Sequence, residues 1–244
     1  KFKVFGGWRR MNSKQGIDGD GSATIPQNHI YVSTDVDQYT AEANYNDNLG
    51  NLKYMVGAFY FQEQGYDNAA NSTNVSLNYN GTNRSYGAFA NGTYALGNLS
   101  VDAGVRYTHD QKSAVMHNIV QNASKVNIAC MDAGLGLSLT NNCAYNYSKT
   151  FDNVTWTAGV NYKITPETLV YAKVSTGYKS GGINKYGYDA LSSAPFSPEK
   201  ITEYQVGLKG DVGPVTYSAA AFYNRTKNLQ ISVYYPVPYA TNVI

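Results

Sequence analysis

From Leu99 to Thr108 two kinds of side chain alternate. Leu99, Val101, Ala103, Val105 and Tyr107 hold one parity, and Ser100, Asp102, Gly104, Arg106 and Thr108 hold the other. Successive side chains of a strand point to opposite faces, so this segment gives a sheet one apolar face and one polar, charged face. The same period returns at Val154, Trp156, Ala158, Val160, Tyr162 and Ile164, set against Asn153, Thr155, Thr157, Gly159, Asn161 and Lys163. Thr202, Tyr204, Val206 and Leu208 oppose Glu203, Gln205, Gly207 and Lys209. Val215, Tyr217, Ala219, Ala221 and Tyr223 oppose Thr216, Ser218, Ala220 and Asn224, with Phe222 an exception, and Tyr39, Ala41, Ala43 and Tyr45 oppose Gln38, Thr40, Glu42 and Asn44. Less regular strands are predicted over Phe2–Met11, Leu52–Gln62, Arg84–Leu96 and Thr168–Tyr178, nine in all.

The connections between them sort into two kinds. Those at Asp47–Asn51, Leu96–Asn98, Ile164–Thr168 and Gly210–Pro214 are tight and carry the Gly, Asn, Asp or Pro that hairpins use. The alternate ones, roughly residues 12–37, 63–82, 112–148 and 180–198, are long and polar. Short turns at one end of a sheet and long loops at the other are the asymmetry of an outer-membrane barrel, with periplasmic turns and extracellular loops. A soluble sandwich with Greek-key connections has no reason to sort its loops this way. Most of the strands hold about ten to thirteen residues, enough for the roughly 9–11 that cross a bilayer with tilt.

Composition points the same way. Charged residues are 15% of the 244, against roughly 25% in soluble domains, and there are 23 Tyr and 23 Gly. A net charge of +2 argues for neither nucleic acid nor an anionic surface as the main partner. No run approaches the roughly 18 apolar residues of a membrane helix, so a membrane reading must be a barrel. Tyr107, Tyr178 and Tyr223 fall near the long-loop end, while Tyr45, Tyr94, Tyr162, Tyr204 and Tyr217 fall nearer the short turns or between. Aromatic girdles at two interfaces read like this, and a tyrosine ladder in a sandwich is the alternative. On the barrel reading, lipid lies beside Val101 and Val105, and a hydrated lumen lies beside Asp102, Arg106, Glu42, Lys163, Lys173, Glu203 and Lys209, where opposite charges on neighbouring strands form weak pairs.

Five segments carry a family resemblance: YAKVSTGYKSGGIN (Tyr171–Asn184), PEKITEYQVGLKG (Pro198–Gly210), LSVDAGVRYTHD (Leu99–Asp110), YMVGAFYFQEQ (Tyr54–Gln64) and AAFYNRTKNLQ (Ala220–Gln230). They resemble barrel strands of TonB-dependent outer-membrane receptors, especially the siderophore-receptor-like group, in that family's order and over most of the chain. The resemblance implies an all-β fold, residues 1–244 being an antiparallel segment of a transmembrane barrel whose complete form has 22 strands around a plug. It implies uptake of a scarce small molecule such as a ferric siderophore complex, driven by the inner-membrane TonB system acting on a plug. It places the protein in the bacterial outer membrane among lipid and lipopolysaccharide, with no enzymatic activity and no cofactor. The chain contains neither a plug nor a TonB box, and an open nine-stranded sheet would leave backbone edges unpaired in lipid, so an interior part of a larger receptor is expected. A passive porin or anchoring barrel is the alternative; a porin would need an inward-folded loop with facing charge clusters.

Candidate chemistry is sparse. The outer loops offer the aromatic residues Tyr186, Tyr188 and Phe196 for stacking on an arriving ligand. Cys130 and Cys143, with twelve residues between them in a polar segment, suit a loop-closing disulfide of roughly 3 kcal/mol in an oxidising compartment; free thiols are the alternative. A rim protease would need His109 and Asp110 to converge on one water, yet they have opposite parity, and Asp35 and Asp37 belong to the same rim. GIDGDGS (Gly16–Ser22) places Asp18 and Asp20 in a turn-rich loop but lacks the remaining ligands of an EF-hand, and His29, His109 and His117 have no zinc spacing. Gly181 and Gly182 lack the strand–loop–helix context of a phosphate cradle and instead bend the chain as it leaves its strand.

Overall fold

The computed structural model describes residues 1–18, 29–71, 74–131, 135–185, 193–234 and 241–243. Its strands are β1 (Phe2–Asp18), β2 (His29–Leu49), β3 (Leu52–Asn71), β4 (Val75–Leu96), β5 (Leu99–Gln121), β6 (Asn127–Cys130), β7 (Ala144–Lys163), β8 (Thr168–Lys179), β9 (Glu199–Val212) and β10 (Val215–Lys227), followed by a small hairpin of β11 (Ser232–Tyr234) and β12 (Thr241–Val243). Nine strands run antiparallel in the order β1-β2-β3-β4-β5-β7-β8-β9-β10, and β6 pairs with the outer end of β5. These nine are the strands that the two-residue period predicts.

All four predicted short turns are present. Leu49 pairs with Leu52, Leu96 with Leu99 and Val212 with Val215, each across two residues. Gly50, Gly97 and Gly213 take φ of +58°, +61° and +58° as first central residue, the sign pattern of type II′ turns that match strand twist. A side chain there would be strained.

The strands are longer than the period indicates: β2 to β5 run 20–23 residues, where about ten to thirteen were expected. Much of what reads as long loop is therefore strand. The reason is a change of phase. Along residues 99–107 the apolar side chains are odd-numbered and point outward, but further out Ala114 and Met116, of the opposite parity, are the buried ones. On the neighbouring strands Ala69, Leu77, Tyr147 and Phe151 share this inner parity and are also buried. Beyond the membrane both faces meet water, so the outward face turns polar and a small core forms on the inner one.

Register supplies the strand tilt. Tyr39, Gln62, Arg84, Gln111 and Thr150 form one cross-strand row, whereas Tyr204, Val174 and Ala158 form another. The outer aromatic line (Tyr39, Tyr60, Tyr86, Tyr107, Tyr204) thus drops eight residues, from 150 to 158 as counted on β7, over the six strand steps from β2 to β9. At about 3.3 Å per residue and about 4.8 Å between strands this is a slope of about 42°, inside the range for membrane barrels. Tyr45, Tyr54, Tyr94, Tyr162 and Tyr217 form a second line sloping in the same sense nearer the short turns. Between the lines, Val101, Val105, Val154, Trp156 and Val160 are exposed on the outward face. The girdles of the sequence reading are therefore diagonal in register and level in the membrane, and Tyr204 belongs to the outer one.

Candidate functional site

The inner face carries the polar side chains. Asp102 accepts from Thr93 Oγ1 at 2.5 Å and from Asn161 Nδ2, and Lys173 pairs with Glu203 across β8 and β9 at 3.4 Å, the kind of lumen pair the alternation predicts. The Arg106 guanidinium lies 5.2 Å from the Phe59 ring centroid and 5.9 Å from that of Phe89, a cation–π stack in which Nε donates to Thr108 at 3.2 Å. Gly87 makes room for it, since a Cβ there would meet Arg106 Nη2 at 2.5 Å. Neither aromatic partner of Arg106 stands out in the sequence, because both occupy polar-face positions and reach Arg106 only through register.

The segment that follows β8 bends onto this same face. Gly181 packs against the Phe151 ring, so closely that a Cβ would lie 2.8 Å from it. Gly182 and Phe196 exchange backbone hydrogen bonds of 3.2 and 2.9 Å, closing a strap between residues 180–185 and 193–198. Gln230 holds both ends: its Nε2 donates to Ser180 O and Ser197 O, and its backbone N–H donates to Glu199 at 2.7 Å. Further along, Lys185 forms an ion pair with Asp67 and lies 5.8 Å from the Tyr79 ring centroid. The bend anticipated at Gly181-Gly182 therefore carries the chain inward.

Under the strap lies a cavity of about 420 Å³, walled by Arg9, Glu63, Asp67, Tyr79, Ile183 and Lys185 among others. Its size suits part of a small-molecule ligand. Burial pushes the Tyr79 phenol above its ordinary value, and the Lys185 ammonium opposes that rise. Asp67 is 7% exposed; one carboxylate oxygen meets Lys185, and the other, Oδ1, is buried without a hydrogen-bond partner. Replacing Asp67 by alanine is expected to release the strap. Because Lys185 remains 39% exposed, the loss is discounted from the 3–5 kcal/mol of a buried pair to about 1–2 kcal/mol. That is about a five- to thirtyfold larger open fraction, readable as faster tryptic cleavage after Lys185.

Of the aromatic residues proposed for ligand stacking, Tyr186 and Tyr188 lie outside the described residues. Phe196 is described, with its ring against Gly182. Cys130 and Cys143 are joined in a disulfide, their Cα atoms 5.4 Å apart, tying β6 to the start of β7. The side chains of Asp18 and His29, and residue Asp20, also lie outside the described residues; among the described ones no group of three or more His, Cys, Asp or Glu is placed to hold a metal ion.

At the rim, His109 Nδ1 sits 2.7 Å from Asp152, a residue the sequence reading did not single out, and Tyr107 donates to the same carboxylate. The Tyr86 ring is 6.2 Å from the imidazole. This cluster faces outward at the aromatic line, away from Asp110, so the carboxylate and imidazole do not converge on the lumen side where a rim protease would work. Asp35 and Asp37 are likewise on the outward face, engaged by Arg10 at 3.0 Å and by Trp8 Nε1 at 3.3 Å.

Tilted antiparallel strands with an exposed apolar outer band, two aromatic lines and a polar inner face crossed by a strap form the wall of an outer-membrane β-barrel. The chain belongs to the TonB dependent receptor-like, beta-barrel family, whose sequence profile matches residues 1–243. These are transport receptors of the Gram-negative outer membrane, not enzymes. A pesticin receptor of Yersinia pestis is 29% identical over 133 residues, 54% of this chain and 17% of the receptor. The chain thus spans about a sixth of the length of the curated relatives it matches. The ferric yersiniabactin uptake receptor of Yersinia pestis superposes with a TM-score of 0.77 at 20% identity over 94% of this chain and 34% of that one. A copper transporter gives a TM-score of 0.75 at 10% identity over 99% and 38%. At these identities the structural likeness speaks for the fold alone.

Proposed function

We propose that this chain forms part of a receptor that takes up a scarce small molecule, a ferric siderophore complex, with work supplied by the inner-membrane TonB system acting through a plug. The observation that carries the reading is the strap: it lies on the same face as Asp102, Arg106 and Lys173 and roofs a mixed-charge cavity containing an unpartnered Asp67 oxygen. A ligand bound there would meet hydrogen-bond acceptors, the Lys185 ammonium and the Tyr79 ring; Tyr186, Tyr188 and Phe196 are proposed to stack on it as it arrives. Outer-membrane lipid and lipopolysaccharide would surround the opposite face. The relatives' described ligands, ferric yersiniabactin among them, support a siderophore, while the copper transporter marks the breadth of cargo compatible with the fold.

Iron-starved cells that depend on the full-length protein are expected to import radio-iron supplied as ferric phenolate, catecholate or hydroxamate chelates, and to lose that import when TonB is deleted. Import of none of the three, or import indifferent to TonB, would overturn the proposal. A second reading, a passive porin, is favoured by one observation: the strap folds inward as a constriction loop would. Steady conductance of liposomes carrying the intact protein would select the porin.

A further inference from the structure

The cavity under the strap already holds a cation, and that cation belongs to the protein. The Lys185 ammonium pairs with Asp67 and lies 5.8 Å from the Tyr79 ring centroid, so it meets one carboxylate and one aromatic ring. Register brings these two together, since Asp67 and Tyr79 are partners across β3 and β4. Two positions nearer the membrane Gly65 and Gly81 are partners as well, and the end of the Tyr79 ring lies over Gly81, where a Cβ would run into it. The two glycines leave the floor open to a close approach. Glu63, opposite Asn83, closes the far end, and Met11, Val36 and Ile183 add apolar wall.

The charges favour a cation at the Asp67 end. Arg9 and Lys112 stand in the cross-strand row of Glu63, whereas the row of Asp67 holds Ser13, Thr34, Tyr79 and Met116, none of them charged. The Tyr79 phenol registers the balance: burial raises it most, Lys185 lowers it, and Asp67 and Glu63 raise it further. Asp67 is more than nine-tenths buried, and its Oδ1 has no hydrogen-bond partner. An anion that drew Lys185 away would leave this carboxylate buried without a counter-charge, a costly arrangement. A cation that took the place of Lys185 would not. A metal ion fits poorly, because Asp67 and Glu63 lie four residues apart on one strand, about 13 Å between Cα atoms, while one ion holds its oxygens within about 2.6 Å. An alkylammonium fits well, its charge on Asp67 and its stem along the apolar wall.

We propose that this cavity receives a protonated alkylamine of the cargo, and that Lys185, carried on the strap, occupies the same place until the cargo displaces it. The inference rests on the receptor reading above and narrows it, from any ferric chelate to one with a free amine outside its iron-binding groups. Lys185 is thus a tethered competitor. Its side chain is partly exposed and can leave to water, so the arriving amine frees the strap.

The cavity is tested apart from iron. Pentylammonium, 1-pentanol and pentanoate are titrated into the full-length protein in a nonionic detergent, with and without Lys185→Gln, and binding is read by saturation-transfer NMR. Removing the tethered competitor should tighten pentylammonium about five- to thirtyfold, the factor by which loss of the latch raises the open fraction, and leave the other two probes unmoved. Adding Asp67→Asn to Lys185→Gln should abolish that gain. Pentylammonium binding that is equal or weaker in Lys185→Gln overturns the proposal, as does a gain that survives Asp67→Asn, or tighter binding of pentanoate than of pentylammonium to the unaltered protein. If the doubly substituted protein does not fold, Lys185→Gln against the three probes decides. In iron-starved cells a linear ferric trihydroxamate ending in a free amine should be imported about fivefold faster than its N-acetylated form, the lower end of the same factor. Equal import overturns the proposal, whereas import of neither counts against the receptor reading and leaves the pentylammonium titration to judge the cavity.

Discussion

Arginine at position 103 is expected to destabilise the folded protein in a bilayer by about 2–4 kcal/mol, the measured range for a cation at the midplane of a barrel's lipid face. Ala103 is exposed on the outward face, midway between Leu99 and Tyr107, in register with Gly92 and Ala158. Its row has apolar or absent side chains on three strands, leaving an arginine no partner and too little reach to snorkel to water. Asn91→Arg is the matched control. Asn91 has the inner parity and pairs with Gly104 one row away, so a charge there meets water and should change stability by no more than about 0.5 kcal/mol. Urea titration of refolded protein in lipid vesicles measures both. Equal costs at the two positions would mean that the faces do not meet different solvents.

Removing the disulfide should have the second largest effect. Cys143 is fully buried, and the bridge anchors β6, which pairs with β5 at Ile119–Cys130. The loop it closes is of the size for which chain entropy gives about 3 kcal/mol. Cys130→Ser with Cys143→Ser should loosen residues 127–143 while leaving the membrane band intact. The expected readout is rapid amide exchange and protease cutting confined to that segment, with the strands of the membrane band still protected. Unaltered protection there would show that the small core of Leu77, Met116 and Tyr147 holds the segment alone.

Legibility in the sequence followed solvent. Where one face met hydrocarbon and the other water, as over Leu99–Tyr107 and Val154–Tyr162, alternation gave the strands, and Gly50, Gly97 and Gly213 gave the turns. Further out the period continued with its phase reversed, apolar Leu77, Ala114 and Met116 turning inward. Diluted among Asn and Ser, that reversal read as loop, although the parity of Ala114 and Met116 was there to be seen. The Arg106 stack and the His109–Asp152 pair depend on which residues register opposes, and local pattern is silent on that. Lys185 and Asp67, 118 positions apart, meet only because Gly181 and Gly182 send the chain inward. For the cysteines, spacing in a polar segment suggested closure but left free thiols open, and the pairing comes from the structure.

The unequal heights of the wall have a consequence for the strap. β2 to β5 and β7 rise 20–23 residues, while β8 to β10 have 12–14, a difference of about 8 residues or some 20 Å of height at the derived slope. The described wall is therefore tall along β2 to β5 and β7 and low along β8 to β10, and the strap springs from the low flank. Within this segment the strap thus leans from the low flank toward the tall one, where Lys185 meets Asp67.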